Sequence, residues 1–306
     1  MIWRVHEVPR WWLPLAGSAV ATTVLLVFVV LAELTGPHPP EGRDVRQAPL
    51  GDGDGGVHLA GTGVWLPLAR ELAASYGASH PGRLIVVHDS VGSRGGRRAL
   101  ADGVIDVGLV SVPGRDVPEV ENARSIAVAL GAVVFAVHPS VSEHDVTSER
   151  ILRIMSGEDT TWPDGRPIVP LLREEGDSAT TVACDVIPGF APALADARRL
   201  KRWPTLLTDQ DMADAVESTP GSIGLHDLGA LRIDHPAVRV LSLDGVAPSA
   251  EALAERRYPL VRTLVLLVAR HMRPETDEFL AFVTSGPGRE VIASNGAYLP
   301  LVGESP

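Results

Sequence analysis

Three glycine-containing turns, each between an apolar stretch and a candidate helix, carry residue types that could bind an anion. They lie in residues 59–68, 89–96 and 173–181. A helix start offers main-chain N–H groups that lack intrahelical acceptors, and the helix dipole favours negative charge there. Gly61 and Gly63 leave the first helix start uncrowded, and Ser90 and Ser93 add hydroxyl donors to the second. A single turn of this kind is weak evidence for a ligand, because many such turns bind nothing. The repetition of the pattern is what favours a binding site.

Strands and helices alternate around these turns. Apolar strands are expected at 83–88, 104–111, 125–138, 167–172 and 260–269, and helices at 146–155, 209–218 and, in two pieces divided at residues 286–288, at 276–294. This alternation predicts an α/β fold with a largely parallel sheet. In such sheets ligands bind beyond the carboxyl ends of the strands, where the three turns would lie.

Composition limits the classes of function. The 306 residues suffice for two domains, and 45% hydrophobic with 21% charged residues is a globular composition. The formal net charge of -11 argues against a nucleic-acid partner and requires any anion site to be local. Cys184 is the only cysteine, which excludes an intramolecular disulfide and a cysteine-type zinc site.

The N-terminal region predicts a membrane segment. Residues 13–32 carry no charge, and arginines and a Trp pair precede them. This pattern fits a cytoplasmic segment 1–12 and a transmembrane anchor at 13–33, which places the remainder of the chain outside the cytoplasm. A signal peptide cleaved after Ala32 is the alternative, and would give a secreted or periplasmic protein. Residues 34–56, rich in Pro, Gly and Asp, are expected to form a flexible linker.

A series of short motifs follows the linker. They are Ala60-Gly61-Thr62-Gly63, Ser90-Val91-Gly92-Ser93, Asp106-Val107-Gly108 with Pro113, Thr161-Trp162-Pro163-Asp164-Gly165, Arg173 with Gly176, Thr219-Pro220-Gly221-Ser222-Ile223-Gly224, Tyr258-Pro259-Leu260 and Tyr298-Leu299-Pro300-Leu301. In this order they resemble the substrate-binding proteins of phosphate ABC transporters, a type II periplasmic binding protein family. The resemblance covers nearly everything from about Val57 onward and depends on the ordered set, because no single motif is decisive.

The resemblance implies a two-lobe α/β fold with a ligand cleft between the lobes. Lobe 1 would comprise residues 57–138 and 256–306, and lobe 2 residues 139–255. In the family, phosphate is held by main-chain N–H groups at helix starts, by hydroxyl groups and by one arginine, and an acidic residue accepts the proton of the ligand.

Carried over to this chain, the resemblance implies a set of ligand-binding positions without a metal or a cofactor. They are Gly61, Thr62, Gly63, Ser90, Ser93, Arg94, Ser111, Arg173, Asp177, Ser178 and Thr180. Arg173 matches the family arginine, whose planar fork suits two oxygens at once.

The chain departs from the family pattern in the cleft. Ser111 stands where the family has its acidic residue, and Asp177 stands among the small residues of the third turn. A carboxylate at a helix start can occupy the N–H donors that an oxyanion would use, and it repels a bound dianion. Asp177 could therefore replace the missing acceptor, reflect a changed ligand, or pair with Arg173 or Arg94 and close the site. Arg94 is itself unusual in a turn that normally has small residues.

Two functions remain open. One is a membrane-anchored solute-binding protein that delivers phosphate or another small oxyanion to the permease subunits of an ABC importer. The other is the same fold used as an extracytoplasmic sensor or interaction domain with altered or lost ligand binding. We do not expect an enzyme, because the sequence has no GxSxG or HExxH motif and its histidines are scattered.

Overall fold

The computed structural model describes residues 55–301 apart from Pro118, His235 and Asn295. The segment 1–12, the membrane segment or signal sequence at 13–33 and nearly all of the linker 34–56 lie outside the described residues. Within the described part, no helix combines the length and the apolar character that a membrane span needs.

Strands and helices alternate along the described chain. The strands are β1 (Val57–Gly61), β2 (Ile85–Val87), β3 (Val107–Pro113), β4 (Ala123–Val137), β5 (Asp145–Val146), β6 (Val169–Arg173), β7 (Thr205–Leu206), β8 (Ser222–Asp227), β9 (Arg239–Val240), β10 (Ser242–Leu243), β11 (Val261–Ala269) and β12 (Leu299–Pro300). The helices are α1 (Leu66–Ser79), preceded by the 3-10 turn Gly63–Trp65, then α2 (Gly92–Ala101), α3 (Ser148–Ser156), α4 (Ser178–Val186), α5 (Phe190–Arg199), α6 (Asp209–Ser218), α7 (Leu228–Asp234), α8 (Ala250–Ala254), α9 (Pro274–Thr284) and α10 (Gly286–Ala293).

The main sheet is mixed, so the expectation of a largely parallel sheet is wrong at its centre. The strand order is β2-β1-β3-β11-β4-β8-β6-β7. The outer pairs are parallel, whereas β11 runs antiparallel to both β3 and β4, and β4 runs antiparallel to β8. The reason is that β4 and β11 are long strands that connect two smaller parallel sheets. β4 pairs with β11 up to Ala132 and with β8 from Val133 onward.

Two hydrophobic cores flank this connection and give the molecule two lobes. One core packs α1, α9 and α10 against β1, β3 and β11, with Trp65 and Tyr76 at its centre. The other packs α3 to α6 against β4, β6 and β8, with Trp162 and Phe190 fully buried. The indole N–H of each core tryptophan donates to a main-chain carbonyl, Trp65 to Val110 at 3.0 Å and Trp162 to Gly221 at 2.9 Å.

Side-chain caps explain where several helices begin. Thr147 caps α3, because its side chain accepts a hydrogen bond from the Arg150 N–H. Thr208 and Asp211 form a reciprocal capping box on α6, whose predicted range 209–218 is confirmed. The break between the last two helices lies at Ser285, which caps α10. Gly286 and Pro287 form the first turn of α10 and do not break it, because proline is tolerated at a helix start.

Candidate functional site

The three turns meet at one cleft of about 670 Å³. Both lobes contribute to its lining. The lining residues are Thr62, Gly63, Ser90, Val91, Gly92, Ser93, Arg94, Arg97, Ser111, Pro113, Arg173, Glu174, Glu175, Gly176, Asp177, Ser178, Thr181, Leu207, Thr208 and Asp209. Nine of the positions expected at the site lie on the wall of this cleft, namely Thr62, Gly63, Ser90, Ser93, Arg94, Ser111, Arg173, Asp177 and Ser178.

The first turn places Thr62 and Gly63 at the start of the 3-10 turn that leads into α1. Gly61 is not a lining residue and has a packing role instead. A Cβ atom at Gly61 would lie 1.8 Å from the carbonyl oxygen of Leu109. The Gly61 carbonyl accepts hydrogen bonds from the Val91 N–H at 2.9 Å and from Ser90 Oγ at 3.3 Å, which joins the first turn to the second.

The second turn supplies hydroxyl groups and exposed positive charge. Ser93 Oγ accepts a hydrogen bond from the Ser111 N–H at 3.3 Å, which ties α2 to β3. Arg94 and Arg97 are exposed at the cleft wall. The Arg94 guanidinium reaches across to the third turn, where a Cβ atom on Gly176 would lie 3.9 Å from its Nη2 atom.

Ser111 lies on β3 at the floor of the cleft and is only 5% exposed. Its Oγ is buried and has no hydrogen-bond partner among the described residues. A buried hydroxyl without a partner costs free energy in a folded protein. Such a group at the wall of a cleft is suited to a polar ligand.

Arg173, the last residue of β6, is the central cation of the cleft. It is 6% exposed, its Nε lies 3.4 Å from Asp177 Oδ2, and its Nη2 lies 3.7 Å from Asp209 Oδ1. Its Nε and Nη1 atoms have no hydrogen-bond partner among the described residues. These N–H groups of the guanidinium can still donate hydrogen bonds to ligand oxygens.

Asp177 pairs with Arg173, which is one part of the third alternative left open by the sequence, but a cleft of about 670 Å³ remains beside the pair. Asp177 also caps α4, because its Oδ1 accepts hydrogen bonds from the Thr180 N–H at 2.8 Å and from Thr180 Oγ1 at 2.9 Å. Thr180 is thereby turned away from the cleft and lines a small apolar cavity in the core of its lobe. One of the helix-start donors that an oxyanion would use is therefore already taken by a carboxylate.

Asp209 lines the cleft and Arg262 contacts the lining residue Ser178 from behind, and neither was expected from the sequence. Asp209 is the first residue of α6 and is 9% exposed. Arg262 lies on β11, is fully buried, and donates from Nη1 to Ser178 Oγ at 3.2 Å. Its Nε lies 3.6 Å from Asp227 Oδ2. The available signal for Arg262 was that it is the only charge in the apolar stretch 260–269.

The carboxyl group of Asp209 is electrostatically unusual. Burial raises its pKa above the ordinary value, and neighbouring Asp177 acts in the same direction. Arg173, His226 and Arg262 act against that rise because positive charge stabilises the carboxylate. The cleft therefore contains a buried carboxyl group that protonates more readily than an exposed aspartate.

The lining as a whole consists of hydroxyls, helix starts, arginines and carboxylates, and includes no histidine or cysteine among the described residues. No group of three or more His, Cys, Asp or Glu side chains in this part of the chain could hold a metal ion. The chemistry available is recognition of a small polar or anionic ligand by hydrogen bonds and charge.

A two-lobed α/β fold with such a cleft between its lobes defines a class of solute-binding proteins. The chain belongs to the PBP superfamily domain family, whose model matches residues 46–287. The resemblance to periplasmic binding proteins inferred from the sequence motifs is confirmed.

Individual relatives and solved structures agree with this assignment. The chain is 22% identical to phosphate-binding protein PstS of Bacillus subtilis over 292 residues, covering 93% of this chain and 94% of the relative. It is 20% identical to phosphate-binding protein PstS of Borreliella burgdorferi over 250 residues, covering 78% of this chain and 88% of the relative. A phosphate ABC transporter substrate-binding protein with bound phosphate from Clostridium perfringens has the same fold, with a TM-score of 0.69, 20% identity, and coverage of 80% of this chain and 99% of that chain.

Proposed function

We propose that this chain is an extracytoplasmic solute-binding protein that binds phosphate or a related small oxyanion for ABC-type import. The observation that carries the proposal is Arg173, which is buried at the cleft wall with a guanidinium Nη1 that lacks a partner among the described residues. The buried Oγ of Ser111 also has no hydrogen-bond partner among the described residues. The relatives from Bacillus subtilis and Borreliella burgdorferi are phosphate-binding proteins, which supports the choice of ligand.

The remaining ligand contacts come from the three turns. We assign Thr62, Gly63, Ser90, Ser93 and Ser178 as the groups that surround the oxyanion, with Arg94 at the mouth of the cleft. Gly61 and Thr180 support the turns from behind, as their packing indicates. A dehydrated oxyanion needs several donors at once, and a cleft with hydroxyls and helix starts from both lobes supplies them.

The chain organisation follows from the same proposal. Residues 57–138 and 256–306 form one lobe and residues 139–255 the other, with the ligand between them. The apolar segment 13–33 anchors the protein to the cell membrane, and the linker 34–56 allows the lobes to reach permease subunits. A secreted or periplasmic form, released by cleavage after Ala32, is the alternative.

Titration calorimetry of the full chain in detergent solution, with phosphate and with sulfate, tests the binding function. Arg173→Lys retains a positive charge but loses the planar fork, so we expect it to weaken phosphate binding by about tenfold or more. Arg199→Lys is the matched control, because Arg199 lies on the exposed face of α5 and, among the described residues, forms its ion pair with Asp196. Equal phosphate affinity in the two variants would contradict the assignment of Arg173.

A sensor or interaction domain with altered ligand binding is the second candidate. The observation that favours it is the pair of carboxylates, Asp177 and Asp209, that lie beside Arg173. If wild-type protein gives no heat with phosphate or sulfate, and none of the cleft variants described below gains binding, this second candidate takes precedence.

A further inference from the structure

Asp209 connects the two sides of the cleft. Its Oδ1 faces Arg173 at 3.7 Å, and its Oδ2 lies against the first turn. A Cβ atom added to Gly63 would lie only 2.5 Å from Oδ2, so the close approach depends on a glycine at this position. The carboxylate of Asp209 is thus placed between the first turn and the central arginine.

That position is the one in which an oxyanion would be held. An oxyanion bound by the first helix start and by Arg173 must place oxygen atoms between them. Ser90 Oγ lies on the same side, 3.4 Å from the Cβ position of Gly63. Asp209 therefore presents two carboxylate oxygens to groups that would otherwise bind the oxygens of a ligand.

The charges around Asp209 affect how strongly its carboxylate competes with a bound oxyanion. Arg173 on β6, His226 on β8 and Arg262 on β11 stabilise its carboxylate, whereas Asp177 at the start of α4 opposes it. On the opposite side, Asp209 borders a second cavity of about 280 Å³. The acidic residues lining that cavity are Asp214 and Glu217 on α6 and Asp234 on α7. When Asp177 and Asp209 are both ionised, their two charges offset the positive charge that Arg173 presents to a ligand, and a bound anion adds to the repulsion.

We propose that Asp209 is an internal competitor for the oxyanion and thereby determines which oxyanions the cleft binds and at what pH. This inference rests on the proposed binding function. When ionised, Asp209 occupies Arg173 and the first turn and disfavours a ligand that brings further negative charge. When protonated, it loses that charge and gains a hydroxyl group that can donate to an oxyanion.

The direction of the pH effect follows from burial. Because burial raises the pKa of Asp209, its carboxyl group becomes neutral at a higher pH than an exposed aspartate would. Competition is therefore greatest at neutral and alkaline pH, and it declines as the pH falls through the raised pKa. The resulting dependence favours ligand binding in an acidic medium.

The test compares wild-type full chain with Asp209→Asn by titration calorimetry, using inorganic phosphate from about pH 8 to about pH 5. At each pH the ratio of the two Kd values cancels the titration of phosphate itself. We expect Asp209→Asn to bind phosphate about tenfold more tightly at about pH 8, and the ratio to approach one at acidic pH. Asp214→Asn is the matched control, because it removes one charge from the exposed side of the same helix.

Sulfate provides a second probe, because its charge is constant over this pH range. For sulfate, wild-type affinity itself should increase as the pH falls, whereas that of Asp209→Asn should change little. Thermal unfolding checks that the variant folds.

The outcomes separate this inference from the function on which it rests. Phosphate binding by wild type that is unchanged or weakened in Asp209→Asn at every pH would overturn the role of Asp209 while leaving the binding function intact. Absence of binding in wild type and in Asp209→Asn, with both proteins folded, would overturn the binding function itself. If Asp214→Asn gained as much phosphate affinity as Asp209→Asn, the gain would be explained by the change in net charge alone. That result would also overturn the role of Asp209.

Discussion

At the scale of single residues, the cleft is governed by one buried guanidinium and two carboxylates. Asp177 has two roles, since one oxygen caps α4 and the other faces Arg173. A cap and a charge are separable properties, because serine caps a helix about as well as aspartate but carries no charge. The single substitution Asp177→Ser therefore removes the charge and keeps the cap.

Asp177→Ser should therefore leave stability nearly unchanged and raise phosphate affinity. Loss of the cap altogether, as in Asp177→Ala, would cost about 1 kcal/mol. Chemical denaturation gives the stability and calorimetry the affinity. Asp185→Ser, at the exposed far end of the same helix, is the control. If phosphate affinity in Asp177→Ser equals that of wild type, repulsion by this carboxylate does not limit binding.

Much of the lining of the cleft could be expected from the sequence alone, for a physical reason. Glycines and hydroxyls at helix starts are local signals, so Thr62, Gly63, Ser90 and Ser93 could be expected beside a ligand. Thr180 could not be placed correctly, because its orientation depends on the cap that Asp177 provides. Asp209 was missed because its closeness to Gly63 and Arg173 arises only when the two lobes are assembled.

At the scale of elements, β4 and β11 connect the lobes, and a buried polar cluster lies beside them. Asp227 Oδ1, at the end of β8, accepts hydrogen bonds from Tyr298 Oη at 2.7 Å and from the Ala230 N–H at 3.0 Å. Its Oδ2 faces the guanidinium of Arg262 on β11. Removal of one partner from a buried ion pair strongly destabilises a protein, because the other charge is left buried without compensation. This cluster therefore fixes the arrangement of β8 and β11.

Tyr298→Phe should destabilise the protein more than Tyr258→Phe, although both tyrosines are fully buried. Tyr298 donates to the charged Asp227, whereas Tyr258 donates to the neutral carbonyl of Val133 at 2.9 Å. Hydrogen bonds to charged groups contribute about 1.5–3 kcal/mol, compared with about 1 kcal/mol for neutral pairs. Denaturant titration of the two variants measures the difference. Equal losses would show that the charge of Asp227 adds nothing to the bond.

The elements themselves were largely predictable, but their arrangement was not. Caps such as Thr208 with Asp211 are local in sequence, and the helix that they begin was expected with correct bounds. The antiparallel centre of the sheet depends on β3 meeting β11, two strands far apart in the chain. Alternation of strands and helices cannot reveal such a pairing, and it therefore led to the wrong expectation of a largely parallel sheet.

At the scale of the whole molecule, the chain is acidic, with a formal net charge of -11. An anionic ligand must therefore approach a surface that repels it on average. The exposed Arg94 and Arg97 at the wall of the cleft oppose that repulsion locally. The proposed anchor would keep the cleft close to permease subunits, which reduces the need for rapid capture from solution.

Expression of the full chain tests the anchor. We expect the protein to remain in the membrane fraction with the mass of the uncut chain, because an apolar run of about 20 residues is long enough to span a bilayer. N-terminal sequencing and mass spectrometry provide the measurement. A mature N-terminus at Glu33 would show that the segment is a cleaved signal peptide.

The pairing of β3 with β11 also determines how late in synthesis the main sheet can be completed. β3 ends at Pro113, but its antiparallel neighbour begins only at Val261. The helices of the lobe that contains Arg173 are synthesised between these points, so most of its core can form first, and Val261 and Ala297 join that core later. The unpaired edge of β3 remains open in the meantime, and open edges invite aggregation. If the chain is exported as proposed, this edge stays uncovered until β11 has also crossed the membrane.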